Sequence, residues 1–85
     1  MEVIYLVVVI STDNFAWDNV DVETFTCETK ERAMQIFKQN SDAVAEGFQG
    51  DEEFTHIKRS GMKHTFINTF SGKFSEVKIE VKALY

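Results

Sequence analysis

The last third of the chain alternates between apolar and charged residues, and this pattern constrains the fold more than any other. From position 76 to position 82 the order is Glu-Val-Lys-Ile-Glu-Val-Lys. A period of two predicts a strand with one face on a core and the other in water. Two Ser-Gly pairs upstream, Ser60-Gly61 and Ser71-Gly72, predict tight turns. We therefore expect three consecutive antiparallel strands, at about 53–59, 62–70 and 73–83.

The turn positions also predict how these strands pair. Two-residue loops place Ile57 opposite His64, Thr55 opposite Phe66, and Phe66 opposite Val77. One face, which the helix is expected to cover, then holds Thr55, Ile57, Met62, His64, Phe66, Val77, Ile79 and Val81. The opposite face is mostly polar and is expected to stay open.

The first half of the chain predicts two more strands and one helix. A continuous apolar run at 3–10 is typical of a central strand that is covered on both faces. A second strand is expected at 20–27, with Val20 and Val22 on one side and Phe25 and Cys27 on the other. Thr29 is the expected N-cap of the helix and Gly47 its left-handed C-cap, and the polar stretch at 40–42 is a candidate break.

These elements predict an α+β domain with two layers. The sheet has about five, mostly antiparallel strands in the order ββαβββ, and one helix packs on one of its faces. A length of 85 residues predicts a single small domain over 1–85, and an apolar fraction of 44% is enough for one core.

Charge and cysteine content narrow the function classes. The net charge of −5 argues against direct binding of nucleic acid, which needs a basic face. Cys27 is the only cysteine, so no intrachain disulfide forms and a reducing, cytoplasmic location is expected. The apolar run near the start is too short to span a bilayer, and no membrane role is expected.

Acidic and basic residues are separated along the chain. Antiparallel order brings the connections at 11–19 and 47–53 to one end of the domain, and places the bases Lys58, Arg59 and Lys63 at the other. The acidic end also carries two aromatic residues, and aromatic anchors often dominate protein interfaces. The predicted partner-binding residues are Phe15, Trp17, Asp13, Asp18, Asp51 and Glu52. The alternative is that Phe15 and Trp17 fold back as a lid over the core.

A second candidate surface lies on the open sheet face. Phe54, Ile67 and Phe74 share this face in the predicted register, and we expect them to form a small apolar cluster that supports self-association. The alternative is that they are scattered surface residues without a role.

Catalytic and metal-binding patterns are weak. The predicted register puts His56 and His64 on opposite faces, so they share no metal, and His64 is expected to be a hydrogen-bonded residue of the core or its rim. The acids at 13–21 lack the spacing of a calcium-binding EF-hand loop. Cys27 is expected to be a small buried thiol. No enzyme activity, cofactor or metal is therefore expected.

Composition and pattern favour a non-enzymatic protein-interaction module. A homodimer through the open sheet face is one candidate assembly, and a basic protein is a candidate partner. The alternative is a small acidic inhibitor that mimics nucleic acid and blocks a basic groove on a partner protein. A third hypothesis, a carrier or small enzyme, requires a pocket of about 300 Å³ or more beside His64.

Overall fold

A computed structural model describes residues 2–13, 20–50 and 53–84. Within them, five strands and one helix follow the order ββαβββ. Their bounds are β1 Glu2–Thr12, β2 Val20–Cys27, α1 Lys30–Gly47, β3 Thr55–Ser60, β4 Lys63–Asn68 and β5 Phe74–Leu84. The strands form one antiparallel sheet in the order β2-β1-β5-β4-β3. The predicted two-layer α+β fold is confirmed.

The molecule is a flat slab. Its principal extents are 45 × 23 × 16 Å, and β5 rather than β1 is the middle strand of the sheet. The helix packs on one side of the slab, which we call the inner face of the sheet; the other side is the outer face. Among the described residues, no helix has both the length and the apolar character that crossing a bilayer requires.

The helix begins as predicted and ends differently. The Thr29 hydroxyl accepts a hydrogen bond from the Arg32 N–H, which caps the first turn. Gly47 is the last helical residue, but Phe48 forms the C-cap with a φ of −104°, and the nearest left-handed glycine is Gly50. The prediction that Gly47 adopts a left-handed conformation is therefore wrong. A tertiary contact closes this end instead, since Lys73 Nζ donates to the Gly47 carbonyl at 2.8 Å.

The helix runs through the polar stretch at 40–42 without a break. Asn40 Nδ2 donates to the Ile36 carbonyl at 2.8 Å, within the same helix. Ser41 is buried at 3% exposure, in line with Ala33 and Phe37 at spacings of four residues. The side chains at 33, 37 and 41 all point at the sheet, so Ser41 continues the row by which the helix packs. The polar stretch therefore does not interrupt the helix.

The predicted strand pairing is wrong by two residues in both hairpins. Ile57 pairs with Phe66 instead of His64, and Phe66 pairs with Ser75 instead of Val77. The first turn sits one residue later than expected, at Gly61-Met62. The second turn is longer because the Asn68 side chain accepts hydrogen bonds from the N–H groups of Phe70 and Ser71. A shift of two residues leaves every side chain on its predicted face.

The core lies between the inner face and the helix. Val7, Phe66 and Val77 are fully buried there. Ile79 and Cys27 were predicted to point into the core, and both are buried. Ile57 and Val81 belong to the same face but are 44% and 50% exposed. The single helix is too narrow to cover these two positions, which lie at an edge strand and toward the end of β5.

Three segments meet at one end of the slab. Thr12, the last residue of β1, pairs with Phe74, the first residue of β5. The bond from Lys73 to the Gly47 carbonyl brings the end of α1 to the same place. Asp13 lies there and is exposed. The other predicted partner-binding residues, Phe15, Trp17, Asp18, Asp51 and Glu52, lie outside the described residues, and their role stays a prediction.

Candidate functional site

The outer face carries a stripe of aliphatic side chains along β1. The even-numbered residues of this strand point away from the helix, because the odd-numbered residues Val7 and Val9 pack in or against the core. The aliphatic stripe consists of Ile4, Leu6, Val8 and Ile10. All four are only partly buried, and β2 adds Val20 and Val22 beside them, at 42% and 59% exposure.

The expectation that β1 is covered on both faces is confirmed on the inner face; on the outer face it stays a prediction, because residues 14–19 lie outside the described residues. Among the described residues the helix packs on the inner face alone. On the outer side of β1 the aliphatic stripe is partly buried, and Thr12 at the end of the strand is 2% exposed. An uninterrupted apolar run looks the same in the sequence whether one face or both are covered. The continuous run nevertheless indicates an apolar outer face. In a two-layer fold every second residue of a strand lies on that face, and in this run those residues are apolar too.

The predicted self-association residues are brought together only in part. Ile67 pairs with Phe74 across β4 and β5, and both are partly buried on the outer face. Phe54 precedes β3 and stacks its ring on Phe70, with centroids 5.2 Å apart. Phe70 is 75% exposed, and the predictions did not include it. Its position within the turn sequence Asn-Thr-Phe-Ser-Gly indicates an exposed side chain, because turns lie at the surface.

A ladder of alternating charges borders the aliphatic stripe on β5. Lys78 Nζ lies 3.1 Å from Glu80 Oε1, and Lys63 Nζ lies 3.1 Å from Glu76 Oε1. Lys82 is 4.0 Å from the same Glu80 carboxylate. Acids and bases on this face nearly balance, with Glu2, Glu76 and Glu80 against Lys58, Lys63, Lys78 and Lys82. The outer face is therefore close to neutral on a chain whose net charge is −5.

A cavity of about 540 Å³ opens on the other side of the sheet, between α1 and the hairpin of β3 and β4. Phe37, Ser41 and His64 lie deepest in the fold among its lining residues. The residues around them are exposed side chains of the helix and of β3: Glu31, Met34, Gln35, Lys38, Asp42 and Arg59. This cavity meets the size that the carrier hypothesis required beside His64.

His64 is tied to the helix on the wall of this cavity. Its Nδ1 atom shares a hydrogen bond of 2.6 Å with the Ser41 hydroxyl, and its ring lies 4.6 Å from the Phe37 ring. The prediction of a hydrogen-bonded rim residue is confirmed. His56 lies on the opposite face, paired with Ile67. Ser41 is 3% exposed, and its hydroxyl is engaged by His64 at the wall of the cavity. The bond therefore joins α1 to β4.

The electrostatic surroundings of His64 favour its neutral form. Burial lowers the pKa of His64 below its ordinary value of 6.5, and the nearby Arg59 guanidinium lowers it further. Asp42 acts in the opposite direction but does not reverse the shift. A neutral imidazole keeps an acceptor or a donor at each ring nitrogen, which suits its bond to a hydroxyl.

This shift predicts that stability declines at mildly acidic pH. Below about pH 6.5 the unfolded chain binds a proton at His64 more readily than the folded chain does. The free energy of unfolding therefore falls as the pH is lowered. The fall ends once the pH is below the folded-state pKa of His64, because both states are then protonated. Thermal melts followed by circular dichroism should show a smaller loss of Tm in His64→Gln than in the wild type. The matched variant His56→Gln should keep the full loss. Identical pH profiles for His64→Gln and the wild type would contradict the assignment.

Comparisons with protein-family models, with curated proteins and with solved structures found no match. The outer face and the cavity are the two candidate functional surfaces among the described residues.

Proposed function

We propose that this chain is a non-enzymatic protein-interaction module that binds a second copy of itself through the outer face of its sheet. The observation that carries the proposal is the aliphatic stripe of Ile4, Leu6, Val8 and Ile10, which the only described helix leaves uncovered. Contiguous exposed apolar patches on small proteins commonly mark interaction sites. Stacking two such sheets would bury both stripes and turn two open slabs into a sandwich.

The charges of the outer face favour a second copy as the occupant. The chain carries a net charge of −5, so two copies repel each other at most relative orientations. The outer face escapes this repulsion because its acids and bases nearly balance. Two outer faces can therefore associate without strong repulsion between like charges.

The order of charges along β5 also suits a twofold arrangement. The twofold axis would run midway between the two stacked sheets, perpendicular to the strands, and would pass over Ile79. Each strand then lies over the same strand of the second copy, and the two run in opposite directions. Lys78 then faces the glutamate at position 80 of the second copy, and Glu76 faces the lysine at position 82. In the same arrangement Leu6 lies over the valine at position 8, since these residues pair with Glu80 and Lys78 within the sheet.

The size of the outer face is sufficient for a stable interface. With five strands of 6 to 11 residues, about 3.3 Å per residue and about 4.8 Å between strands, it covers on the order of 700 Å². Stable complexes of standard size bury about 800 Å² on each partner. The whole face would therefore take part, and the interface would lie toward the smaller end of the standard size.

The test compares two lysine substitutions. Leu6→Lys places a charge in the proposed interface and should weaken dimerisation by about a hundredfold or more, because an unpaired charge would be buried. Ile57→Lys adds the same charge to the inner side of the edge strand, where Ile57 is already 44% exposed, and should leave the dimer intact. Sedimentation equilibrium measures both, and circular dichroism confirms that each variant is folded.

The wild type should sediment with twice its chain mass of 9.8 kDa. A wild type that stays monomeric at its highest attainable concentration would refute the proposal. Equal loss of dimer in Leu6→Lys and Ile57→Lys would also refute it, because the association would then not depend on the outer face.

A further inference from the structure

The cavity between α1 and the β3–β4 hairpin is independent of the proposed interface, since it lies on the opposite side of the sheet. Its volume of about 540 Å³ falls within the range of sites that hold small molecules. It is lined at one side by a stripe of helix residues from Glu31 to Asp42, and at the other by Arg59, Gly61 and His64 of the hairpin.

Four charged side chains line this cavity, two of each sign. The helix contributes Glu31, Lys38 and Asp42, and Arg59 lies across from them on β3. All ion pairs among the described residues lie on the outer face, so these four charges form none. Arg59 makes one described contact, with the Phe66 ring at 5.9 Å from its guanidinium carbon. The cavity thus holds both signs of charge without internal pairing.

The remaining lining provides an apolar wall and two polar side chains, Ser41 and His64, that bond to each other. The Phe37 ring is 3% exposed, and Met34 beside it on the helix is 39% exposed, so both present hydrocarbon or sulfur to the space. Charged groups of a ligand would therefore be recognised by the unpaired acids and bases, and an apolar group by Phe37 and Met34.

We propose that this cavity binds a small zwitterion, a free α-amino acid with an apolar side chain. Its carboxylate would bind the Arg59 guanidinium, whose forked donors match a carboxylate. Its ammonium group would bind Asp42, and its side chain would lie on Phe37 and Met34. A ligand with negative charge alone would meet Glu31 and Asp42, and one with positive charge alone would meet Lys38 and Arg59. A zwitterion satisfies both signs.

The first experiment titrates the ¹⁵N-labelled chain with L-phenylalanine and follows its backbone amide resonances. We expect saturable shifts at Phe37, Ser41, Arg59, Gly61 and His64. The controls are 3-phenylpropionate, which lacks the ammonium group, and phenethylamine, which lacks the carboxylate. Both should bind at least about tenfold more weakly, because each loses one charge-assisted hydrogen bond. Absence of shifts with L-phenylalanine, or equal affinity for 3-phenylpropionate, would overturn the proposal.

The second experiment repeats the titration with charge-neutral variants. Arg59→Gln should weaken binding of L-phenylalanine by about tenfold or more. Lys30→Gln removes a positive charge from an exposed position at the start of α1, outside the cavity lining, and should leave the affinity for L-phenylalanine unchanged. Asp42→Asn and its helix control Glu46→Gln form a second pair, so the proposal stays testable if one variant fails to fold. Unchanged affinity in either folded cavity variant would overturn it. Amide shifts at the cavity are read whatever the oligomeric state, so this result is separate from the test of the dimer.

Discussion

A Val7→Asp variant should not fold, whereas Val8→Asp should keep a native circular dichroism spectrum. Val7 is fully buried in the core, and an unpaired carboxylate there costs several kcal/mol in addition to the lost burial of the valine. Small domains are stable by about 5–15 kcal/mol in total, and 85 residues place this one toward the lower part of that range. The variant therefore has too little stability left to fold.

Val8 is the matched control, because it is the same residue type on the same strand but faces outward. It is only partly buried, so its new carboxylate stays in contact with water. Val8→Asp should instead be monomeric, because the charge falls in the middle of the aliphatic stripe. A folded Val7→Asp, or an unfolded Val8→Asp, would mean that the faces of β1 are assigned the wrong way round.

Phe66→Ala should lower the free energy of unfolding by about 3–5 kcal/mol, the usual cost of removing a buried phenylalanine. Phe66 is fully buried, and its ring packs on the Phe48 ring, with 5.8 Å between centroids. This ring contact packs the C-cap of α1 on β4, in addition to the Ser41–His64 bond. Urea denaturation followed by circular dichroism measures this loss.

Phe70→Ala is the control for Phe66→Ala, because it deletes the same ring at a position that is 75% exposed. Its unfolding free energy should stay within about 0.5 kcal/mol of the wild type. A similar loss in both variants would contradict the placement of the core between α1 and the sheet.

The architecture could be predicted from the sequence because it depends on which face each side chain occupies. The alternation around Val77 and Ile79 marks the buried side of β5 regardless of its pairing partner. Both hairpin registers were wrong by two residues, yet the faces remained correct because the side-chain period is also two. In the second hairpin the error came from Asn68, whose side chain caps the turn and shifts it away from the Ser71-Gly72 pair. In the first hairpin the turn lies at Gly61-Met62, one residue later than predicted.

The candidate sites were harder to predict because they depend on tertiary distances. The Ser41–His64 bond joins residues 23 positions apart, and only the packing of α1 on β4 brings them together. The cavity beside them follows from the same packing. The outer aliphatic stripe was missed for another reason, since an apolar run does not reveal whether a second layer covers it. The prediction of a self-association cluster named Phe54, Ile67 and Phe74 and did not include β1, the most apolar strand of the outer face.

The proposed dimer forms through the outer face of the sheet, and this choice of surface is its central feature. The most direct measurement is an isotope-filtered NOE experiment on a mixture of ¹³C-labelled and unlabelled chains, which detects contacts between copies only. We predict intermolecular NOEs among the methyl groups of the aliphatic stripe, above all between Leu6 and Val8. Intermolecular NOEs confined to helix residues such as Met34, or none at all in a sample that sediments as a dimer, would contradict the account.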